Sequence, residues 1–376
     1  MFRPTVIGQD AVNLVQTATG TTSTSAAGAA HDSPSSPLRP AHPGTLQEAE
    51  FVGREPELAV LDAQLTQVST HGARVVLIRG TVGIGKTALV REFLRRHRKL
   101  MVMRGNGDEG EAAVSYTLAD QLFAAVGLRS AALLAHTERV LPVEEPVVVG
   151  RQMLAVLTRY SARGPMVVVI DDANWADVDS LRALLFALRR LAGHPVLTIL
   201  VAPSDDSRLP AGLERMAEGA TGTGLDVGPL APSDVAALAT AVSGSHVPGL
   251  TAHRLCAHTL GNPRHLLALL AETPPDRWRG WEPVLPAPRI SSRTDVRRLA
   301  ACGGDARLLV EAVAALGDDA ALATAAALAD VDEPLEALEE ACSAGLLAVT
   351  GPAPPGDLRF SHPLVRAAAA RWWSAA

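Results

Sequence analysis

Lysine is almost missing from this chain: Lys86 and Lys99 are the two lysines among 34 basic residues, the remainder being arginine. Cysteine is nearly as scarce. Cys256, Cys302 and Cys342 are widely spaced, show no metal-ligand spacing and leave an odd thiol under any pairing, which fits a reducing compartment. No run reaches the ~18 apolar residues that would span a bilayer. The first residues lack the apolar stretch of about 7–15 residues found in a secretory signal. The expectation is a cytoplasmic protein that makes no use of a membrane. An excess of positive charge is also lacking, since 40 Asp+Glu outweigh 34 Lys+Arg for a net charge of -6, and this argues against wholesale coating of nucleic acid. What is present is an apolar fraction of 48% over 376 residues, too long for one ordinary core and enough for two or three packed units.

Composition divides the chain. Residues 1–48 are dominated by Thr, Ser, Ala, Gly and Pro, a composition that cannot offset its ordering entropy, so a disordered tail is expected. From 49 to 228 short β-branched runs alternate with helical stretches. The runs are Val75–Ile78, Leu100–Met103, Met166–Ile170, Val196–Val201 and a weak Leu225–Val227. Helical stretches are expected at Lys86–Arg98, Leu118–Val126, Val147–Ser161 and Asp177–Leu191. Such alternation predicts an α/β fold with a five-stranded, mainly parallel sheet covered by helices. After Pro229 the pattern turns helical, giving a lid over 229–290 and a last unit over 291–376. In that unit Leu346–Val349 and Leu358–Phe360 flank a Pro/Gly tip and predict a two-stranded wing.

Gly80-Thr-Val-Gly-Ile-Gly-Lys86-Thr87 is a full G-x-x-x-x-G-K-[ST] match that follows a strand and opens a helix. Glycines let backbone N–H groups turn inward around phosphate oxygens, and the helix N-terminus adds partial positive charge. The candidate cradle is Gly80, Gly83, Ile84, Gly85, Lys86, Thr87 and Ala88. Lys86 would carry charge to the β- and γ-phosphates, and Thr87 would offer its hydroxyl to Mg²⁺. About 85 residues on, Val167-Val-Val-Ile-Asp171-Asp172 ends a second buried run. Asp171 would join the Mg²⁺ shell, and Asp172 would act on the attacking water as general base. The alternative for this pair is plain helix capping.

The phosphate loop and the acidic pair keep company with further motifs. Phe51-Val-Gly-Arg-Glu55 precedes the loop by about 25 residues, and Val169-Ile-Asp-Asp-Ala-Asn-Trp-Ala-Asp177 follows it. Leu225-Asp-Val-Gly-Pro-Leu230, Gly261-Asn-Pro263 before Leu266–Leu270, and Phe360-Ser-His-Pro-Leu-Val-Arg366 complete the series. Together they resemble the ATPase module of the large ATP-binding LuxR-type regulators, which belong to the STAND class of P-loop ATPases related to AAA+ proteins. The resemblance implies a P-loop core, a helical lid and a winged-helix-like cap. It implies ATP/ADP with Mg²⁺ as ligands, and signal transduction in transcriptional regulation as the role. It further implies that Val52 and Arg54 contact the base and that Pro263 closes over it from the lid. His362 would touch the ADP β-phosphate, or alternatively cap the final helix.

Two departures point to slow or absent hydrolysis. Asn174 stands where the family usually has His, and Asn cannot accept a proton at neutral pH. The run Val196–Val201 leads to Pro203 and Asp205–Asp206 instead of a phosphate-sensing Arg, the next being Arg208. The sequence also stops soon after Arg366, so no C-terminal DNA-binding domain is expected within it. The expected partners are nucleotide and an unidentified protein or small-molecule signal, with DNA only through a further domain. A nucleotide-dependent oligomer stays open, as do two other readings: a non-hydrolysing scaffold, and a DNA binder using the winged unit.

Three weaker signals complete the reading. Arg91, Arg95, Arg96, Arg98 and Lys99 cluster on and after the helix that follows the loop, either as a nucleic-acid patch or as complements to the helix dipole. Trp372 and Trp373 are either a partner contact or ordinary packing. Asp205–Asp206 reads as a solvated loop.

Overall fold

The computed structural model describes residues 51–128, 145–204, 208–280, 285–351 and 356–373, except the side chains of 145, 290, 291 and 371–373. The expected tail over 1–48, the Asp205–Asp206 pair and the Trp372 and Trp373 side chains lie outside this set. The sheet is built from β1 (Arg74–Arg79), β2 (Met101–Asn106), β3 (Met166–Asp171), β4 (Val196–Ala202) and β5 (Gly222–Asp226), in the order β2-β3-β4-β1-β5. Every neighbouring pair runs parallel. β4 therefore sits between the strands that lead to Gly80 and to Asp171, which places those two ends on one rim of the sheet with a strand between them.

The continuous apolar runs exist because both faces are buried. Val75 and Leu77 of β1, with Met166, Val168 and Ile170 of β3, enter one core. That core is completed by α3 (Thr117–Ala124), α4 (Glu145–Ser161), α5 (Val178–Leu188) and α6 (Ala211–Glu218). Val76, Ile78, Val167, Val169, Leu197 and Ile199 face the other way, against α1 (Glu55–His71) and α2 (Lys86–Arg96). Period-two alternation thus serves two cores at once, which is why no polar stripe marks these strands.

Helix α1 has no counterpart among the helices expected from sequence. Its apolar residues Leu58, Leu61 and Val68 are buried, but a buried Gln64 interrupts the stripe. That residue accepts a hydrogen bond from Arg74 Nε at 2.5 Å.

Beyond the sheet, α7 (Pro232–Ser243), α8 (Gly249–Thr259), α9 (Pro263–Glu272) and α10 (Pro275–Arg279) surround Val235, Leu255, Leu266 and Trp278 in a core of their own. A further core unites α11 (Arg289–Ala301), α12 (Gly304–Leu316), α13 (Leu322–Ala329), α14 (Pro334–Ser343) and α15 (Pro363–Trp373). It includes β6 (Ala320–Ala321), β7 (Leu347–Thr350) and β8 (Asp357–Phe360), antiparallel in the order β6-β8-β7. The expected wing is thus β7 and β8, with a short third strand alongside. Helix α11 is strongly polar and was not legible from periodicity; it is held by packing against α15.

Candidate functional site

The phosphate loop connects β1 to α2. Gly83 and Gly85 have φ of 80° and 103°, a region that favours glycine. Gly83 is constrained a second time, because a Cβ there would stand 2.7 Å from Cβ of Arg264 and 3.0 Å from Oδ1 of Asn262. Lys86 is 9% exposed, and its Nζ donates to the carbonyl oxygens of Gly80 at 2.7 Å and Thr81 at 3.1 Å. Thr87 follows at the first turn of α2, and its Oγ1 donates to Oδ1 of Asp171 at 3.1 Å. Two residues 84 positions apart are thereby joined across the rim.

Those two oxygens suit Mg²⁺, a hard cation that accepts one or two protein ligands and takes the rest from phosphate and water. Among the described residues no cluster of three or more His, Cys, Asp or Glu could hold a metal by itself. Asp172, next in line, has φ 45°. Partial burial of its carboxyl and the negative charge of Asp171 push its pKa up, against the pull of Lys86. A carboxylate of raised pKa is a stronger base, as proton abstraction from water requires.

Next to the loop lies a cavity of about 540 Å³ whose lining includes Phe51, Val52, Arg54, Ile84, Gly85 and Ala88 from the core. The lid closes it with Leu230, Leu238, Pro263 and Leu267. The structure therefore brings together the segment around Val52, the loop and Pro263. Arg54 is largely committed elsewhere: its guanidinium donates to the carbonyl oxygens of Ile84 at 3.2 Å and Gly228 at 2.6 Å and pairs with Glu57 at 2.9 Å. It holds the phosphate loop against the start of the lid while its stem lines the cavity.

His362 stands apart from this cavity. It lines a second space of about 760 Å³ together with Thr81, Val82, Arg264, His265, Asp295 and Arg298, between the outer side of the loop, the lid and the last unit. Its Nδ1 accepts from the Leu364 N–H at 3.0 Å, so the capping role is present. Burial and the nearby rings of His265 and His258 push its pKa down to about 4, so the ring is neutral at pH 7.

The strand β4 runs through Ala202 to Pro203 and Ser204, and the next described arginine, Arg208, lies over the Trp175 ring at 3.9 Å. Sequence reasoning passed over Arg264 and Glu92. Arg264 crosses Gly83, and its N–H also donates to the Gly83 carbonyl oxygen at 3.3 Å. Its signal was a basic residue directly after Gly261-Asn-Pro263. Glu92 is a buried carboxylate in the wall of the 540 Å³ cavity, one helical turn past Ala88.

Residues 50–201 match the AAA ATPase domain family. That stretch accordingly corresponds to an AAA-type P-loop ATPase domain, and the structure as described is an α/β fold around a five-stranded parallel sheet with a helical C-terminal region. Among solved structures it is similar to the ORC2 protein of Aeropyrum pernix, at 15% identity and a TM-score of 0.51, covering 87% of this chain and 96% of that one. It is also similar to a STAND protein with a tetratricopeptide repeat sensor from Pyrococcus horikoshii, at 18% identity and a TM-score of 0.40, covering 84% of this chain and 42% of that one. An uncharacterized protein of Rhizobium meliloti (strain 1021) is 28% identical over 185 residues, which is 40% of this chain and 18% of that protein. The chain thus corresponds to a small part of that relative. No helix among the described residues is long and apolar enough to cross a membrane.

Proposed function

We propose that this chain is a cytoplasmic nucleotide-controlled switch of the STAND type, the ATPase module of a LuxR-like signalling regulator, which binds ATP and ADP with Mg²⁺. The observation that carries the reading is the junction of three parts: the phosphate loop with Lys86, the Thr87–Asp171 oxygen pair, and a cavity shared by core and lid. Phosphates would lie in the loop with the base against Val52, Ala88 and Pro263. Because Asn262, Pro263 and Arg264 belong to the lid, whatever occupies the cavity couples lid position to nucleotide state. A ligand shifts such an equilibrium only through different affinity for its two states.

Hydrolysis is slow in this reading. Asp172 takes the proton of the attacking water, and Lys86 stabilises the charge that develops on the phosphate. Among the described residues after β4 the first cation is Arg208, which lies over the Trp175 ring. Arg264 offers positive charge from the lid instead. A second reading, a nucleotide-binding scaffold without turnover, is favoured by that same occupied Arg208.

The test is acid extraction of the purified protein, chromatography of any nucleotide released, and titration with Mg-ATP and ADP. Near-stoichiometric ADP supports the switch, and Lys86→Ala should lose it. A wild-type chain that binds neither nucleotide overturns the reading. Binding without measurable turnover, unchanged by Asp172→Asn, selects the scaffold.

A further inference from the structure

Glu92 lies on the face of α2 that lines the 540 Å³ cavity, where Ala88, Arg91 and Arg95 also face it. Much of the remaining wall is apolar, including Phe51, Val52, Leu238, Pro263 and Leu267. A base enclosed there has polar edge atoms that need partners, because buried polar groups without them are costly. The rise of 1.5 Å per residue puts Glu92 about 9 Å along α2 from Lys86. A nucleotide stretched along the helix with its phosphates in the loop spans a comparable distance to its base.

The hydrogen bonds of Glu92 define what it can still accept. Oε2 accepts from Arg95 Nε at 2.6 Å; Oε1 accepts from Arg95 Nη2 at 2.8 Å and from Arg96 Nε at 3.0 Å. Arg96 is steadied in turn by Glu55 at 2.7 Å, at the first turn of α1. A carboxylate offers about four acceptor positions. Three are filled, and the one that remains is on Oε2.

We propose that this remaining position on Glu92 receives the exocyclic amino group of adenine, making Glu92 the residue that selects the base. The assignment rests on the nucleotide-binding reading above. Adenine presents one amino group with no adjacent ring N–H, which suits a single acceptor. Guanine presents two neighbouring donors that would call on both carboxylate oxygens. Guanine and hypoxanthine also place a carbonyl oxygen where adenine has its amine, setting lone pair against lone pair. The two arginines hold the carboxylate charged and in place, so its acceptor is fixed before the base arrives.

The test is equilibrium binding of ADP, IDP and GDP to the full chain. Wild type should prefer ADP over IDP by about tenfold or more, the effect of one hydrogen bond to a charged group. Glu92→Ala should lose most of that preference, through weaker ADP binding together with IDP binding that is unchanged or tighter. Arg95 is an exposed position on α2, so Arg95→Ala keeps the fold whatever Glu92→Ala does. That variant frees one acceptor on each oxygen and should narrow the preference for ADP over GDP severalfold. Lys86→Ala should weaken all three nucleotides alike. Nucleotide binding with the base preference unmoved in both Glu92→Ala and Arg95→Ala overturns the assignment alone. A wild-type chain that takes up no nucleotide overturns the binding reading and this assignment together.

Discussion

Asn262 Nδ2 donates to the carbonyl oxygen of Val82 at 2.9 Å, tying the residue just before the lid helix α9 to the tip of the phosphate loop. The same side chain caps α9, since its Oδ1 accepts from the Arg264 N–H at 3.0 Å. Asn262→Ala removes both bonds. Losing the cap should cost ~1 kcal/mol of stability. Losing the tie should quicken ADP release about fivefold, the value of one ordinary hydrogen bond. Stopped-flow release of a fluorescent ADP analogue reads this directly, and an unchanged rate would show that the lid does not hold the nucleotide.

Thr87 and Asp171 should make binding depend on magnesium. In Thr87→Ala and Asp171→Asn, affinity for Mg-ATP is expected to fall about tenfold or more, towards the value without metal, while affinity in EDTA stays near wild type. Calorimetry with and without Mg²⁺ separates the two. Equal losses in both conditions would assign the pair to architecture.

If turnover is present, its acid limb belongs to Asp172. The raised pKa means the base is lost as pH falls through a value above the ordinary 3.8 of an aspartate. Asp172→Asn should abolish steady-state phosphate release and leave ADP affinity within about twofold. A pH–rate profile unchanged in shape in the variant would remove Asp172 from the mechanism.

His362 predicts a stability change on the acid side. Its folded pKa of about 4 lies below the ordinary 6.5, so the unfolded chain binds the proton first. Stability from the neutral ring is complete above about pH 6.5 and is lost as pH falls towards 4. His265 contributes with the same sign, its pKa also lowered by burial, and the two rings meet edge to face at 5.3 Å. His362→Asn should flatten part of the fall in melting temperature between pH 6.5 and 4.5. An identical slope would contradict the assignment.

Asp177 is 2% exposed and accepts from the N–H groups of Tyr116, Leu118 and Ser180 and from the Thr117 hydroxyl. It fastens the segment before α3 to the start of α5. Asp177→Ala would orphan buried donors and should cost ~3 kcal/mol or more, visible in chemical denaturation. Asp177→Asn, which keeps one acceptor oxygen, should cost less.

Local chemistry made much of this protein legible in its sequence. A turn that cradles phosphate needs glycines with positive φ, a lysine and a hydroxyl at set spacing, so Gly80–Thr87 announces itself. Strands buried on both faces must be apolar at every position, so β1, β3 and β4 stand out, and with them Asp171 at a strand end. The wing was marked by the Pro/Gly tip between its strands. Helices α1 and α11 escaped notice because a buried Gln64 and a run of arginines and serines dilute their stripes, and tertiary packing sets their state.

What the tertiary structure alone decided is which distant residues meet. No local pattern says that Arg54 will spend its guanidinium on Ile84 and Gly228, that Arg208 will lie on Trp175, or that His362 will face the outer side of the loop. Nor does any pattern show that Arg264 will cross Gly83, or that Glu92 will carry three arginine hydrogen bonds in the wall of the cavity. Short-range geometry is written in neighbouring residues because backbone sterics and hydrogen bonding act over a few positions. The partners of a charged side chain depend on how helices from separate parts of the chain pack, and that is settled when the cores close.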